Sequence, residues 1–283
     1  MLALEPGAAI LHGVVRLPQA FRFRYGTAMT EDDIALAHRL ADAAGEAIRP
    51  YFRAAFTRED KADASPVTEA DRGAEAAMRA ILDAERPQDG IVGEEYGRER
   101  DNAERVWVLD PIDGTRSFVT GRPIFGTLIA LLEAGKPVLG ILNQPILGER
   151  WLGVAGRPTR FNDGVAGTRE CATLGHAHVA TTGPRYFTPE QLTAYTRVTD
   201  HARDSIWGGD CYNYGQLALG QLDAVIEAGL KIYDFAALVP IVEGAGGLMR
   251  DWSGRPLDHG SDGRVIAVGD AQLMEPILEV LGG

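Results

Sequence analysis

The stretch Arg105-Val-Trp-Val-Leu109-Asp110-Pro-Ile-Asp113-Gly-Thr115 constrains the fold more than any other part of the chain. Its apolar lead-in reads as a compact strand that belongs inside a sheet, and an acid stands directly behind it. Pro111 is expected to end the strand, and Asp113-Gly114 to turn the chain. Asp110 then falls at the carboxyl end of a buried strand, where sheets covered by helices place their ligand sites. Two carboxylates held this closely raise each other's pKa unless a cation sits between them. Ligands that are all oxygen suit Mg²⁺ or Mn²⁺ rather than zinc. The plain alternative is a turn, since Asp-Gly is a common turn dipeptide.

Two further acidic features repeat the theme. Gly93-Glu94-Glu95 follows the short apolar strand Ile91-Val92, and Asp234 precedes an apolar helical run. Taken singly, the glutamates read as a solvated face and Asp234 as a helix N-cap. Only their combination with Asp110 and Asp113 points to one site.

The rest of the chain supplies the frame. Thr30 caps a helical pattern that runs to Ile48, and a second spans Glu69–Leu82. Thr127–Leu132 and Pro137–Asn143 read as strands joined by the hairpin Glu133-Ala-Gly-Lys136, with Trp151–Val154 extending the meander. Gly156–Gly175 is loop-like. Short strands and helices alternate afterwards, over Ala177–Ala180, Pro189–Tyr195, Tyr212–Leu219, Asp223–Glu227, Phe235–Ala245, Arg264–Ala267 and Gln272–Leu281. Together these give an α/β fold with antiparallel sheet in the first half and a second α/β layer in the C-terminal half. Residues 29–283 form one expected domain. Residues 1–28 carry Arg16, Arg22 and Arg24 against the single acid Glu5, a bias shared with transit peptides, and are read as an unstructured extension upstream of a start at Met29.

Charge narrows the partners. With 28 basic and 40 acidic side chains the net charge is -12, which repels both a nucleic-acid backbone and anionic lipid. No apolar run approaches the roughly 20 residues that span a bilayer. Two widely spaced thiols, Cys171 and Cys211, make neither a zinc pattern nor a disulfide framework, so a reducing, cytoplasmic setting is expected.

Three anchors resemble the inositol monophosphatase family of lithium-sensitive, Mg²⁺-dependent phosphatases. They are Gly93-Glu94-Glu95, Trp107-Val-Leu-Asp110-Pro-Ile-Asp113-Gly-Thr115, and Tyr233-Asp234-Phe-Ala-Ala with Glu243-Gly-Ala-Gly-Gly247. The resemblance implies a layered α-β-α-β-α sandwich and a homodimer. It also implies that Glu94, Asp110, Asp113, Asp234 and the Ile112 carbonyl hold two or three Mg²⁺ ions, with Mn²⁺ a possible substitute. Asp71, in Thr68-Glu-Ala-Asp71, and the Thr115 hydroxyl match the family's proton relay for the attacking water, with Glu94 beside them. Gly114 and Thr115 are implied to cradle the phosphate, Asp234 and Glu227 to contact substrate, and Lys61 to stand near the metal loop. Gly114-Thr-Arg-Ser-Phe118, Gly121-Arg-Pro-Ile-Phe-Gly-Thr127 and Gly209-Asp-Cys-Tyr-Asn-Tyr214 are similar to the histidinol-phosphatase branch. There Asp210 and Glu227 would suit an ammonium and an imidazole. The expected substrate is therefore L-histidinol phosphate. Alternatives are inositol-1-phosphate or a related phosphorylated alcohol, and, in another class, a non-catalytic partner-binding role.

Overall fold

Alternation along the strands decides how the layers stack. The protein is described here by a computed structural model covering residues 30–54, 58–60 and 66–282. Lys61 and the N-terminal extension lie outside the described residues. The first half runs α1 (Glu31–Ile48), β1 (Arg58–Asp60), β2 (Pro66–Thr68), α2 (Glu69–Glu85), β3 (Gly90–Gly93), β4 (Gly97–Glu99), β5 (Arg105–Asp113), α3 (Thr115–Val119), β6 (Gly126–Glu133), β7 (Lys136–Gln144) and β8 (Glu149–Val154). The second half adds β9 (Arg160–Phe161), β10 (Gly164–Val165), β11 (His178–Thr181), α4 (Pro189–His201), β12 (Asp204–Trp207), α5 (Tyr212–Ala218), β13 (Ala224–Glu227), α6 (Ile232–Phe235), α7 (Leu238–Gly244), β14 (Leu248–Arg250), β15 (Val265–Val268) and α8 (Met274–Gly282).

An eight-stranded sheet has the order β10-β9-β8-β7-β6-β5-β3-β4, and a five-stranded sheet the order β12-β11-β13-β15-β14. Along β5, Trp107 and Leu109 face one core with α1 and α2, where Leu36, Leu40 and Met78 meet them. Val106 and Val108 face the opposite core, formed with α5 and α7. The five-stranded sheet divides in the same way. Val225 and Ala267 enter that middle core, whereas Ala224, Ile226 and Ile266 pack under α4 and α8. Period-two side-chain direction thus makes each sheet apolar on both faces and requires helices on both. The result is the α-β-α-β-α sandwich.

Several elements depart from their sequence-predicted form for identifiable reasons. β5 does not stop at Pro111 but continues to Asp113, with a register shift against β6 between Asp110 and Asp113. Proline is tolerated there because a bulge needs no ladder N–H from it. The single helix predicted over Phe235–Ala245 is split into α6 and α7. Pro240 can donate no bond to the carbonyl four residues back, and its ring crowds that turn. The loop predicted over Gly156–Gly175 carries the short strands β9 and β10, of which β10 is the sheet's edge. β12 was not legible: it pairs in parallel with β11 at the sheet edge, and all four of its residues are exposed, so its sequence needs no apolar alternation.

Candidate active site

β5 delivers the first two acids. Asp110 is buried, and Asp113, at the strand's end, is half-buried. Asp234 comes from the first turn of α6, where it accepts the Lys231 N–H at 2.6 Å. It is therefore not the N-cap that one reading of the sequence makes it: Lys231 holds that place, and Asp234, three residues on, reaches back to it from inside the helix. One carboxylate oxygen from each of these three residues lies within 4.8 Å of the others. Asp113 also accepts the Cys211 N–H at 2.5 Å, a bond that fastens β5 to the loop before α5.

The electrostatics of this trio are unfavourable without a counter-charge. Burial pushes the Asp110 carboxyl well above the usual range, and Glu94, Asp113, Asp234 and Asp71 push it further. Burial likewise lifts Asp113 well above normal, with Asp210 and Asp234 adding to the rise. Asp234 is raised to about 7 by burial, despite the Lys231 N–H, with Glu94 adding. One oxygen of Asp110 is buried with no hydrogen-bond partner among the described residues. Several carboxylates around an oxygen that none of the described residues satisfies form a donor set that fits hard divalent cations.

The other predicted residues are distributed around the trio. Glu94 lies outside the tight group of three, yet its charge acts on both Asp110 and Asp234. Asp71, in the first turn of α2, is buried and its charge acts on Asp110. The Thr115 hydroxyl donates to the Ile112 carbonyl at 3.0 Å. Gly114 has φ of 87° and precedes α3, and a Cβ there would stand 2.9 Å from an Asp210 carboxylate oxygen. Only glycine meets both demands. Asp210 itself holds φ of 44°, a conformation that costs free energy in a non-glycine residue, and accepts the Ser117 hydroxyl at 3.2 Å. Burial raises it to about 6, against the pull of Ser117, Arg116 and Arg122. Glu227, fully buried at the end of β13, accepts the Thr182 N–H at 2.7 Å and the Thr181 and Thr182 hydroxyls at 3.1 and 2.9 Å. It is raised to about 7, chiefly by burial.

Sequence reasoning missed the residues that hold these groups in place. Glu75 was one, although it follows Asp71 by one helical turn, a spacing that puts both on one face. The Thr181-Thr182 pair under Glu227 was another, marked only by its place after an apolar strand. Cys211 is buried and its thiol is pushed well above normal by burial and by Asp113, the reverse of what activates a thiol nucleophile.

The profile of the inositol monophosphatase family matches residues 29–282. The chain belongs to the inositol monophosphatase family. Like its relatives in that family, it is a phosphatase for small phosphorylated substrates, and members of the family depend on Mg²⁺. Among similar chains, the bifunctional phosphatase IMPL2, chloroplastic, of Arabidopsis thaliana is 50% identical over 256 residues, covering 87% of this chain and 74% of that one. A histidinol-phosphatase of Mycobacterium tuberculosis is 37% identical over 243 residues, covering 82% and 92%. A solved inositol monophosphatase from Zymomonas mobilis is 60% identical, superimposes with a TM-score of 0.84, and covers 91% of this chain and 100% of its own. The inositol monophosphatase fold of these relatives is the layered arrangement described above.

Proposed function

We propose that this family member hydrolyses L-histidinol phosphate to L-histidinol and phosphate in a Mg²⁺-dependent reaction. The observation that carries the reading is the convergence of Asp110, Asp113 and Asp234 around an unsatisfied buried oxygen, with the acids Asp210 and Glu227 on the adjoining wall. Glu94, Asp110, Asp113, Asp234 and the Ile112 carbonyl would hold two or three Mg²⁺ ions, with Mn²⁺ able to substitute. When bound, such ions neutralise the carboxylates and act as Lewis acids toward water and phosphoryl oxygen. Asp71 and the Thr115 hydroxyl handle the proton of the attacking water, with Glu94 beside them. The N–H groups of Gly114 and Thr115 orient the phosphate. Asp210 and Glu227 receive the ammonium and imidazole of histidinol, and cationic partners would draw both acids to their ionised forms.

The relatives that support this substrate are the 37% identical histidinol-phosphatase and others of the same name at 36% and 37% identity. A second reading, inositol-1-phosphate, is favoured by the 60% identical structure described as an inositol monophosphatase, and Glu227 can also accept cyclitol hydroxyls. Phosphate release from the two esters, with Mg²⁺ and with EDTA, decides between them. Faster turnover of histidinol phosphate, abolished by EDTA, is the expected result. Far faster cleavage of inositol-1-phosphate would overturn the substrate, and EDTA-resistant turnover the metal requirement. The reading also takes the enzyme to be a homodimer in a reducing cytoplasm, in keeping with two buried free thiols. Light scattering tests the dimer.

A further inference from the structure

The turn that carries Glu94 is held from beneath by an acid the proposed reaction does not use. β3 and β4 are antiparallel neighbours, with Gly93 paired to Gly97, so Glu94, Glu95 and Tyr96 form the tip between them. Consecutive N–H groups at such a tip point inward and form an anion-binding concavity. A carboxylate of the protein fills it. Glu75, on α2 and fully buried, accepts the Glu95 N–H at 2.7 Å and the Tyr96 N–H at 3.1 Å. Arg79, one turn further along the helix, donates to the same carboxylate at 2.8 Å, to Glu99 at 2.8 Å and to the Gly97 carbonyl at 2.5 Å. The tip of the hairpin and its second strand, β4, are therefore tied to one face of α2. Gly93 makes the approach possible, because a Cβ there would stand 1.9 Å from a Glu75 oxygen.

The same helix face carries Asp71, whose charge acts on Asp110. One rigid helix thus fixes two parts of the site, Asp71 directly and the Glu94 turn through Glu75. We infer that Glu75 is a positioning residue that sets where the Glu94 carboxylate stands over Asp110 and Asp234, and so sets the affinity of the site for divalent cations. The inference rests on the proposed role of Glu94 as a metal ligand. Groups that orient a ligand from behind typically change metal affinity by 10–100-fold when removed.

Binding of Mn²⁺ alone, without substrate, to the full chain tests this by calorimetry and electron paramagnetic resonance. Glu75→Gln keeps the shape of the side chain but leaves one inward N–H facing an amide N–H₂. It is expected to weaken Mn²⁺ binding about ten-fold. Met78→Ala empties a buried contact of the same helix without touching the turn, and is expected to lower the melting temperature while leaving Mn²⁺ affinity unchanged. If Glu75→Gln binds Mn²⁺ as the wild type does, the inference is overturned. Should Glu75→Gln not fold, Gly93→Ala takes its place, because the added methyl displaces the Glu75 carboxylate without altering α2. Unchanged Mn²⁺ affinity in that variant is equally fatal. Where both fold, the double variant is expected to bind no more weakly than the weaker single variant, since both break one contact. Additive losses would contradict that. Glu94→Gln in the same titration separates the two layers of the reading. Wild-type affinity there removes Glu94 as a ligand and the inference with it, whereas loss there with no loss in Glu75→Gln removes the inference alone.

Discussion

Asp110 shows what the site costs the protein that carries it. Its carboxyl is buried among four other acids, and one oxygen meets no hydrogen-bond partner among the described residues. A neutral amide of the same shape removes that repulsion. At alkaline pH, where the raised carboxyl is ionised, Asp110→Asn is therefore expected to raise the melting temperature of the metal-free protein by about 2–4 °C, the shift that roughly 1 kcal/mol produces in a chain of this size. The same change removes a proposed ligand. Turnover with Mg²⁺ should fall on the order of a thousand-fold, since Lewis-acid stabilisation is worth several kcal/mol and each 1.36 kcal/mol is ten-fold. Calorimetry without metal and a phosphate-release assay with it check the two halves. A variant that melts lower than wild type without metal would show that Asp110 is satisfied by the protein alone. Residues of this kind were legible in the sequence because chemistry shapes their context: folding alone gives a chain little reason to set an acid directly behind an apolar strand. Thr181, Thr182 and Glu75 were not, because a hydroxyl or glutamate that holds another side chain looks like any surface residue until the fold brings the two together.

At the scale of elements, the sequence shows a strand where both of its faces are buried and hides one where neither is. β5, β6 and β7 announce themselves by unbroken apolar runs, and β12 by nothing, since its four residues are exposed. The passage of β5 through Pro111 was hidden for another reason: what permits it lies on β6. The Thr127 hydroxyl, fully buried, donates to the Pro111 carbonyl at 2.8 Å, within the stretch where the two strands shift register. That shift lets Asp110 and Asp113, three residues apart, both offer oxygens to one point. Thr127→Val keeps the side chain's shape and leaves the carbonyl without that bond. It should destabilise the chain by about 1–3 kcal/mol, the cost of an unsatisfied buried acceptor. If the bulge also sets the separation of the aspartates, the Mg²⁺ concentration for half-maximal turnover should rise. Denaturant melts and a metal titration measure the two effects. Lost stability with an unchanged metal requirement would mean that the bulge supports the strand without aiming its acids.

Across the whole molecule, the acids lie on the seam between the two halves of the sandwich. Asp113 of the first sheet is bonded to the loop before α5, Gly114 rests against Asp210, and Asp234 enters from α6. The layering could be inferred from sequence resemblance, but the charge stored on this seam could not, because burial is what shifts the pKa values. Its consequence is a stability that runs against the usual pH trend. Unfolded aspartate and glutamate titrate near 4, whereas Asp234 and Glu227 titrate at about 7 and Asp210 at about 6 in the folded chain. Between those limits the folded state binds more protons than the unfolded one, so stability falls as pH rises. Asp33 and Asp223 work in the opposite sense: burial lifts both, but hydrogen bonds from Thr30 and Arg105, and from Arg169, outweigh it. Their contribution is lost only as pH falls below the unfolded value. His38 is held low by burial and by Arg150, with Asp42 opposing, and also favours higher pH up to about 6.5. Saturating Mg²⁺ changes only the groups that meet the metal, so the rise in melting temperature it produces isolates the seam. That rise should grow steadily from about pH 5 to about pH 8, because metal replaces protons that the acids can no longer keep. Calorimetric melts at matched ionic strength, with and without Mg²⁺, measure it. A stabilisation by Mg²⁺ that stays constant over this range would mean that the acids on the seam are already ionised and paired within the metal-free protein.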